Sequence, residues 1–66
     1  MELSKAEIEV LHFLREYFDD ERKMPTQSEV GKKVGKTYQR VQQIYAELER
    51  KRRIKRIRGY RGIKLI

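Results

Sequence analysis

The chain has no cysteine, no tryptophan and no asparagine, and among its 66 residues there is one proline and one histidine. Without cysteine there is no disulfide framework, no thiolate metal site and no cysteine nucleophile, so stability must come from packing; a cytosolic compartment is compatible with this. Serine is nearly absent as well. Ser4 and Ser28 both sit where helices begin, which accounts for them structurally. His12 has no second histidine or cysteine to complete a ligand set and reads as a structural or surface residue. Apolar residues never run on long enough for a signal peptide or a membrane span. The length fits one small domain, residues 1–66, with a core of about a dozen to fifteen side chains and no deep cleft. No enzyme activity, cofactor, metal or small-molecule ligand is expected.

What the chain has in excess is positive charge, and its placement says more than its sum. Residues 1–30 carry four Lys/Arg against eight Asp/Glu, net −4, whereas residues 31–66 carry thirteen against two, net +11; together they give the net charge of +7. A generally charged, heat-adapted surface would not segregate the signs in this way. A basic half joined to an acidic half fits oriented approach to a polyanion, the first half serving as scaffold and the second as contact surface.

In chain order, Leu3-Ser4-Lys5-Ala6-Glu7-Ile8 is a helix start. Ser4 and Glu7 form a capping box, and Leu3 is placed to staple onto Ile8. Ile8, Leu11, Leu14 and Phe18 then make a stripe widened by Val10, Phe13 and Tyr17, so this helix is read as core to about Phe18 or Asp20. Asp19 to Lys23 is read as a solvated polar connection. Pro25 holds Met24 extended, and Thr26-Gln27-Ser28-Glu29 repeats the capping box ahead of Val30 and Val34. Gly35 supplies a left-handed helix end, leaving only Lys36 before the Thr37 cap of the next helix. Two helices joined so tightly form a helix-turn-helix, and Gly31 permits their close approach.

The helix that follows, Thr37 to Lys51, organises the chain. Val41, Ile44, Tyr45 and Leu48 form its apolar stripe, and Gln39, Arg40, Gln42, Gln43 and Ala46 lie largely on the other side. Glutamine can bridge N6 and N7 of adenine, and arginine can bridge O6 and N7 of guanine, both in the major groove. Lys32, Lys33 and Lys36 surround the turn, within reach of flanking phosphates. After Lys51 the period changes. Ile54 to Arg58, a Gly59-Tyr60-Arg61-Gly62 turn and Ile63 to Ile66 read as a basic hairpin. Ile54 and Ile57 cannot share one face of a regular strand, so one is exposed, covers a second cluster or sits by a bulge. The GXXG match to the RNA-clamping loop of KH domains is set aside, because that loop joins helices and this one joins strands. Lys55, Arg56, Arg58, Arg61 and Lys64 suit the hairpin to backbone or minor-groove contact.

Helix, helix-turn-helix and basic hairpin together resemble the N-terminal winged helix-turn-helix domain of the LexA repressor family. The resemblance rests on Leu3-Ser4, Glu9-Val10, Met24-Pro25-Thr26, Glu29-Val30-Gly31, Val34-Gly35, Leu48 to Ile54 and Arg61-Gly62-Ile63-Lys64-Leu65. Its specific segments are Pro-Thr-x-x-Glu and Arg-Gly-Ile-x-Leu. It implies a fold that is mainly α with a small β-hairpin, three helices and a two-stranded wing, and it implies sequence-specific binding of double-stranded DNA by a repressor-like transcriptional regulator. By this resemblance Thr37, Gln39, Arg40, Gln42 and Gln43 fall on DNA-reading positions. Lys32, Lys33, Lys36 and Tyr38 would hold the backbone, Thr37 also reaching phosphate, and Lys55, Arg56, Arg58, Tyr60, Arg61 and Lys64 would form the wing contacts. The recognition residues differ from those of well-known members, so the docking mode transfers and the operator does not. The family's serine-lysine protease segment has no counterpart in this chain. The chain is read either as a small stand-alone regulator, for which Met1 fits a natural start, or as an isolated domain. A homodimer on DNA, through Tyr or Phe residues of the first helix, stays open. So do two other readings, a non-specific DNA or RNA binder using the basic half and a winged-helix protein-docking module.

Overall fold

A computed structural model of the chain describes residues 2–57 and 62–66. Three helices, α1 (Lys5–Glu21), α2 (Gln27–Val34) and α3 (Tyr38–Arg50), precede two strands, β1 (Ile54–Arg56) and β2 (Ile63–Leu65). The strands pair antiparallel with Ile54 opposite Leu65, Lys55 opposite Lys64 and Arg56 opposite Ile63. This is the winged helix-turn-helix layout, mainly α with a small hairpin. Among the described residues, no helix is long and apolar enough to cross a membrane.

Each helix begins where its local chemistry sets it. Ser4 accepts from the Glu7 amide at 3.2 Å and the Glu7 carboxylate accepts from the Ser4 amide at 3.0 Å. Thr26 and Glu29 repeat the exchange at 3.1 and 3.0 Å. Thr37 caps α3 by accepting from the Arg40 amide at 3.1 Å. Such caps satisfy backbone donors that a helix start leaves unpaired. Gly35, at φ +70°, ends α2, and the Gly31 carbonyl accepts from both the Gly35 and the Lys36 amides. The turn folds back so tightly that a Cβ on Gly31 would lie 2.7 Å from the Lys36 carbonyl oxygen and 3.7 Å from Val41.

The core draws Val10, Leu11 and Leu14 from α1, Met24 from the connection, Val30 from α2, Val41, Ile44, Tyr45 and Leu48 from α3, and Ile54 and Ile63 from the hairpin. Two sequence expectations change here, and a third, left open, is decided. The buried face of α1 is centred on Val10, Leu11 and Leu14, leaving Ile8 54 % and Phe18 38 % exposed. Ile8 is therefore not buried by a Leu3 staple, although Leu3 itself packs against the core. The reason is Glu7, which takes a core-facing position because its carboxylate meets Lys51 Nζ at 2.6 Å. Second, α1 continues through Asp19, Asp20 and Glu21, which belong to its last turn and not to a connection. Arg22 closes that turn in the left-handed region, its amide donating to the Phe18 carbonyl at 2.8 Å. Aspartate in a helix gives up only a few tenths of a kcal/mol, and the closed turn leads the chain directly into the buried Met24 and Pro25. Third, the Ile54/Ile57 conflict resolves with Ile54 buried and Ile57 43 % exposed.

The capping glutamates also carry tertiary contacts. Glu29 accepts from the Tyr17 hydroxyl at 3.1 Å, joining α1 to α2, and Glu7 holds Lys51 at the end of α3. Lys51 Nζ also donates to the Glu2 carbonyl at 2.9 Å. The hydrogen bond from Lys51, with that from the Ser4 amide, holds the Glu7 carboxyl below its ordinary pKa of 4.5. Tyr45 is buried, its hydroxyl has no hydrogen-bond partner among the described residues, and burial pushes its pKa up to about 12.

Three stability predictions follow from these contacts. Because the Glu7 pKa is lower in the folded chain than in the unfolded one, its contribution is complete above about pH 5 and is lost as pH falls through the folded pKa. Urea unfolding from pH 7 down to 3 should therefore show a steeper acid loss in the wild type than in Glu7→Gln, and parallel curves would remove the Lys51 pair as its cause. Gly31→Ala should lose about 1–3 kcal/mol by overpacking against the turn, despite a helix-propensity gain of about 1 kcal/mol. A stabilised variant in thermal melts would contradict the close approach. Tyr45→Phe should be neutral or stabilising by up to about 1–2 kcal/mol, since it removes a buried unpaired hydroxyl; a clear loss in the same melts would mean that the hydroxyl is satisfied in solution.

Candidate nucleic-acid interface

Burial of Val41, Ile44, Tyr45 and Leu48 fixes the rotation of α3 and so decides which residues face outward. At three- and four-residue spacing, Gln39, Gln43, Ala46 and Arg50 follow one another along the opposite face, all exposed. Gln42 and Glu49, seven apart, form one shoulder of this face, and Arg40 and Glu47 form the other. Ala46, having almost no side chain, leaves the middle of the outward face low. Arg40 Nη1 lies 3.5 Å from Gln43 Oε1, so two of the expected base-reading side chains run side by side. Gln39 and Gln42 are exposed beside them. The Thr37 hydroxyl oxygen is engaged as the cap, which leaves its proton free to donate.

A shallow concavity of about 480 Å³ lies beside the start of α3, lined by Gln27, Ser28, Lys32, Lys36, Thr37 and Tyr38. Lys32 and Tyr38 are exposed and Lys36 is partly buried at the turn. This brings the two lysines, the Tyr38 phenol and the capped helix start together. Lys33 is placed elsewhere. It borders a smaller hollow of about 220 Å³ with Phe13, Glu16, Tyr17, Asp20 and Glu21, on the acidic side of α1. The reason is helical geometry: consecutive residues on α2 point about 100° apart, so Lys32 and Lys33 serve different faces. Gln27 and Ser28, at the start of α2, also join the concavity, although sequence reasoning saw them only as helix-start residues.

The hairpin divides its basic residues by face. Lys55 and Lys64 stand directly opposite each other, both exposed. Like charges directly opposite on a strand pair are destabilising, so this outer face favours an anion. Arg56 reaches across to α3 instead while staying exposed. Its amide donates to Glu49 Oε2 at 3.3 Å, its Nε lies 3.6 Å from Glu49 Oε1, and its Nη2 donates to the Gln42 carbonyl at 3.4 Å. Arg58, Tyr60 and Arg61, also expected in the wing, lie outside the described residues.

Two further side chains belong to this surface. Arg50 extends the outward face and is held by Glu47, with Nε to Oε2 at 2.6 Å and Nη2 to Oε1 at 3.4 Å. That hydrogen bond holds the Glu47 carboxyl below its ordinary pKa and raises that of Arg50. The signal for Arg50 was its spacing, seven residues beyond Gln43. Glu49 had no such signal, because its partner is brought in by the hairpin. His12 is exposed and paired with Glu16, and no group of three or more His, Cys, Asp or Glu able to hold a metal occurs among the described residues. No protein-family model matches the chain, and no curated protein matches it.

Proposed function

We propose that this chain binds double-stranded DNA sequence-specifically, as a repressor-like transcriptional regulator of the cytoplasm that works on chromosomal DNA. One observation carries the reading. The exposed row Gln39, Gln43, Ala46, with Arg40 and Gln42 on its shoulders, starts beside Lys32 and Lys36 at the turn, and the hairpin that carries the Lys55–Lys64 pair is tied to its Gln42 shoulder through Arg56. An α-helix is about 10–12 Å across with its side chains, and the major groove is about 12 Å wide. A helix of this kind fits with its long polar side chains against base edges while the cations of the turn and of the hairpin meet phosphates.

In this arrangement Gln39, Gln42 and Gln43 offer paired hydrogen bonds to adenine, and Arg40 offers them to guanine. Lys32, Lys36, Tyr38 and the Thr37 hydroxyl hold phosphates and set register without reading sequence. Lys55 and Lys64 place phosphate at the wing, relieving their mutual repulsion. The non-specific reading shares the cations but leaves the glutamine row unused. The protein-docking reading would use instead the apolar groove of about 340 Å³ walled by Phe18, Met24, Ile57, Ile63 and Leu65.

Selection from random duplex DNA at roughly physiological salt, with random RNA in parallel, tests the reading. A single enriched motif is expected. Gln43→Ala should then relax preference at one base pair by about 1–3 kcal/mol, whereas Lys32→Ala should weaken all sequences and lower the salt slope by about one. Lys33→Ala, on the acidic side of α1, should leave both nearly unchanged. Binding without enrichment would favour the non-specific clamp, and no binding to either pool would favour protein docking.

A further inference from the structure

We propose that Glu49 is a positioning residue that fixes the wing against α3 through Arg56 and thereby sets how far the Lys55–Lys64 pair reaches when the helix is seated on DNA. The inference rests on the DNA-binding reading above and adds a role that charge alone would deny to an acidic residue.

Glu49 is one of only two carboxylates in the basic half, and it stands on the same shoulder of α3 as Gln42. Its side chain is 45 % exposed. A carboxylate on a surface that meets phosphate repels it, so Coulomb's law by itself expects tighter binding when Glu49 is removed. Its contacts point the other way. Oε2 accepts from the Arg56 amide at 3.3 Å, Oε1 faces Arg56 Nε at 3.6 Å, and the guanidinium continues to the Gln42 carbonyl at 3.4 Å. Arg56 therefore spans two turns of α3, from Glu49 to Gln42.

The position of this clamp gives it leverage. The base of the hairpin is already fixed: Ile54 is buried, the Arg53 amide donates to the Leu48 carbonyl at 2.8 Å, and the Ile66 amide donates to the Arg53 carbonyl at 3.2 Å. Arg56 is the last residue of β1, two positions beyond that anchor, and lies beside the Lys55–Lys64 pair in the ladder. Among the polar contacts to the described part of the wing, Arg56 alone ties the outer end of β1 to the recognition helix. Without the carboxylate, Ile54 and the Ile63 opposite Arg56 keep the hairpin on the core, but Arg56 loses its hold on α3, and the hairpin can tilt about that apolar anchor, shifting Lys55 and Lys64 from the phosphates that the helix position dictates.

The test compares wild type with Glu49→Ala, Glu49→Gln, Arg56→Ala and the Glu49→Ala/Arg56→Ala double variant. The DNA is the selected duplex and a random duplex, titrated across a series of salt concentrations. Circular dichroism melts verify that each variant is folded. Glu49→Ala should weaken binding to the selected duplex about tenfold, although it raises the net charge by one, and should lower the salt slope by about one to two as wing lysines leave phosphate. Random duplex should lose less, so that the specificity ratio falls. Glu49→Gln, which keeps an acceptor for the Arg56 amide, should lie between, and the double variant should be no weaker than either single one, as expected for partners in one contact. Tighter binding of Glu49→Ala to both duplexes with an unchanged or steeper slope would overturn the proposal and leave Glu49 as a simple repulsive charge. A DNA-independent measurement separates this failure from that of the function. Hydrogen exchange at the Arg56 amide should quicken in Glu49→Ala even if the wild type binds no DNA, and unchanged exchange would overturn the clamp itself.

Discussion

Burial of one face of α3 is the constraint on which the rest of the structure depends. Val41, Ile44, Tyr45 and Leu48 are closed off by α1, by α2 and by the hairpin, so a single helix forms an interface with every other part of the fold. A domain of this size buries too little surface to tolerate loss of such a centre. The same burial has a second consequence. Once four side chains on α3 are fixed inward, Gln39, Gln43, Ala46 and Arg50 must face out, and the proposed chemistry of the surface follows from the packing of the core.

Polar contacts refine what the core sets. The two capping-box glutamates each begin a helix and then reach a distant partner, Glu7 to Lys51 and Glu29 to Tyr17. This is economical in a chain with few buried positions, because a carboxylate already committed to a helix start also fixes how two helices meet. At the turn, the Gly31 backbone approaches Lys36 more closely than any side chain would allow. At the other end of α3, Glu49 and Arg56 tie the helix to the wing. Orientation of α3, turn and hairpin is thus held at three separate places, with apolar packing between them.

Much of this was legible in the chain because its causes are local. Ser4 with Glu7, Thr26 with Glu29, and Thr37 ahead of Tyr38 act across three residues or fewer, and Gly35 acts at its own position; all four appear where the sequence placed them. The α3 stripe was legible because every apolar residue in it lies on one side. In α1 there were more apolar residues than one face can bury, and periodicity could not choose among them. Ile8 lost to Val10 where Glu7, a charged residue, holds part of the inward face, and Phe18, three turns beyond Glu7, stays 38 % exposed in the last turns of the helix. The polar run at Asp19 to Glu21 looked like a connection because helix formation there depends on the left-handed closure at Arg22, a residue with no marked preference for it.

The sequence by itself determined where each helix begins, which face of α3 is apolar, that a basic hairpin follows, and that positive charge gathers in the second half. These depend on propensity, capping and spacing, which act over a few residues. Only the tertiary structure decided which lysines share a face. It parted Lys32 and Lys36 from Lys33, and it set Lys55 and Lys64 side by side while turning Arg56 back onto Glu49 and Gln42. It also brought Lys51 to Glu7, 44 residues away. The physical reason is that a side chain's partner across the fold depends on how helices cross and strands register, and no pattern along the chain records that distance.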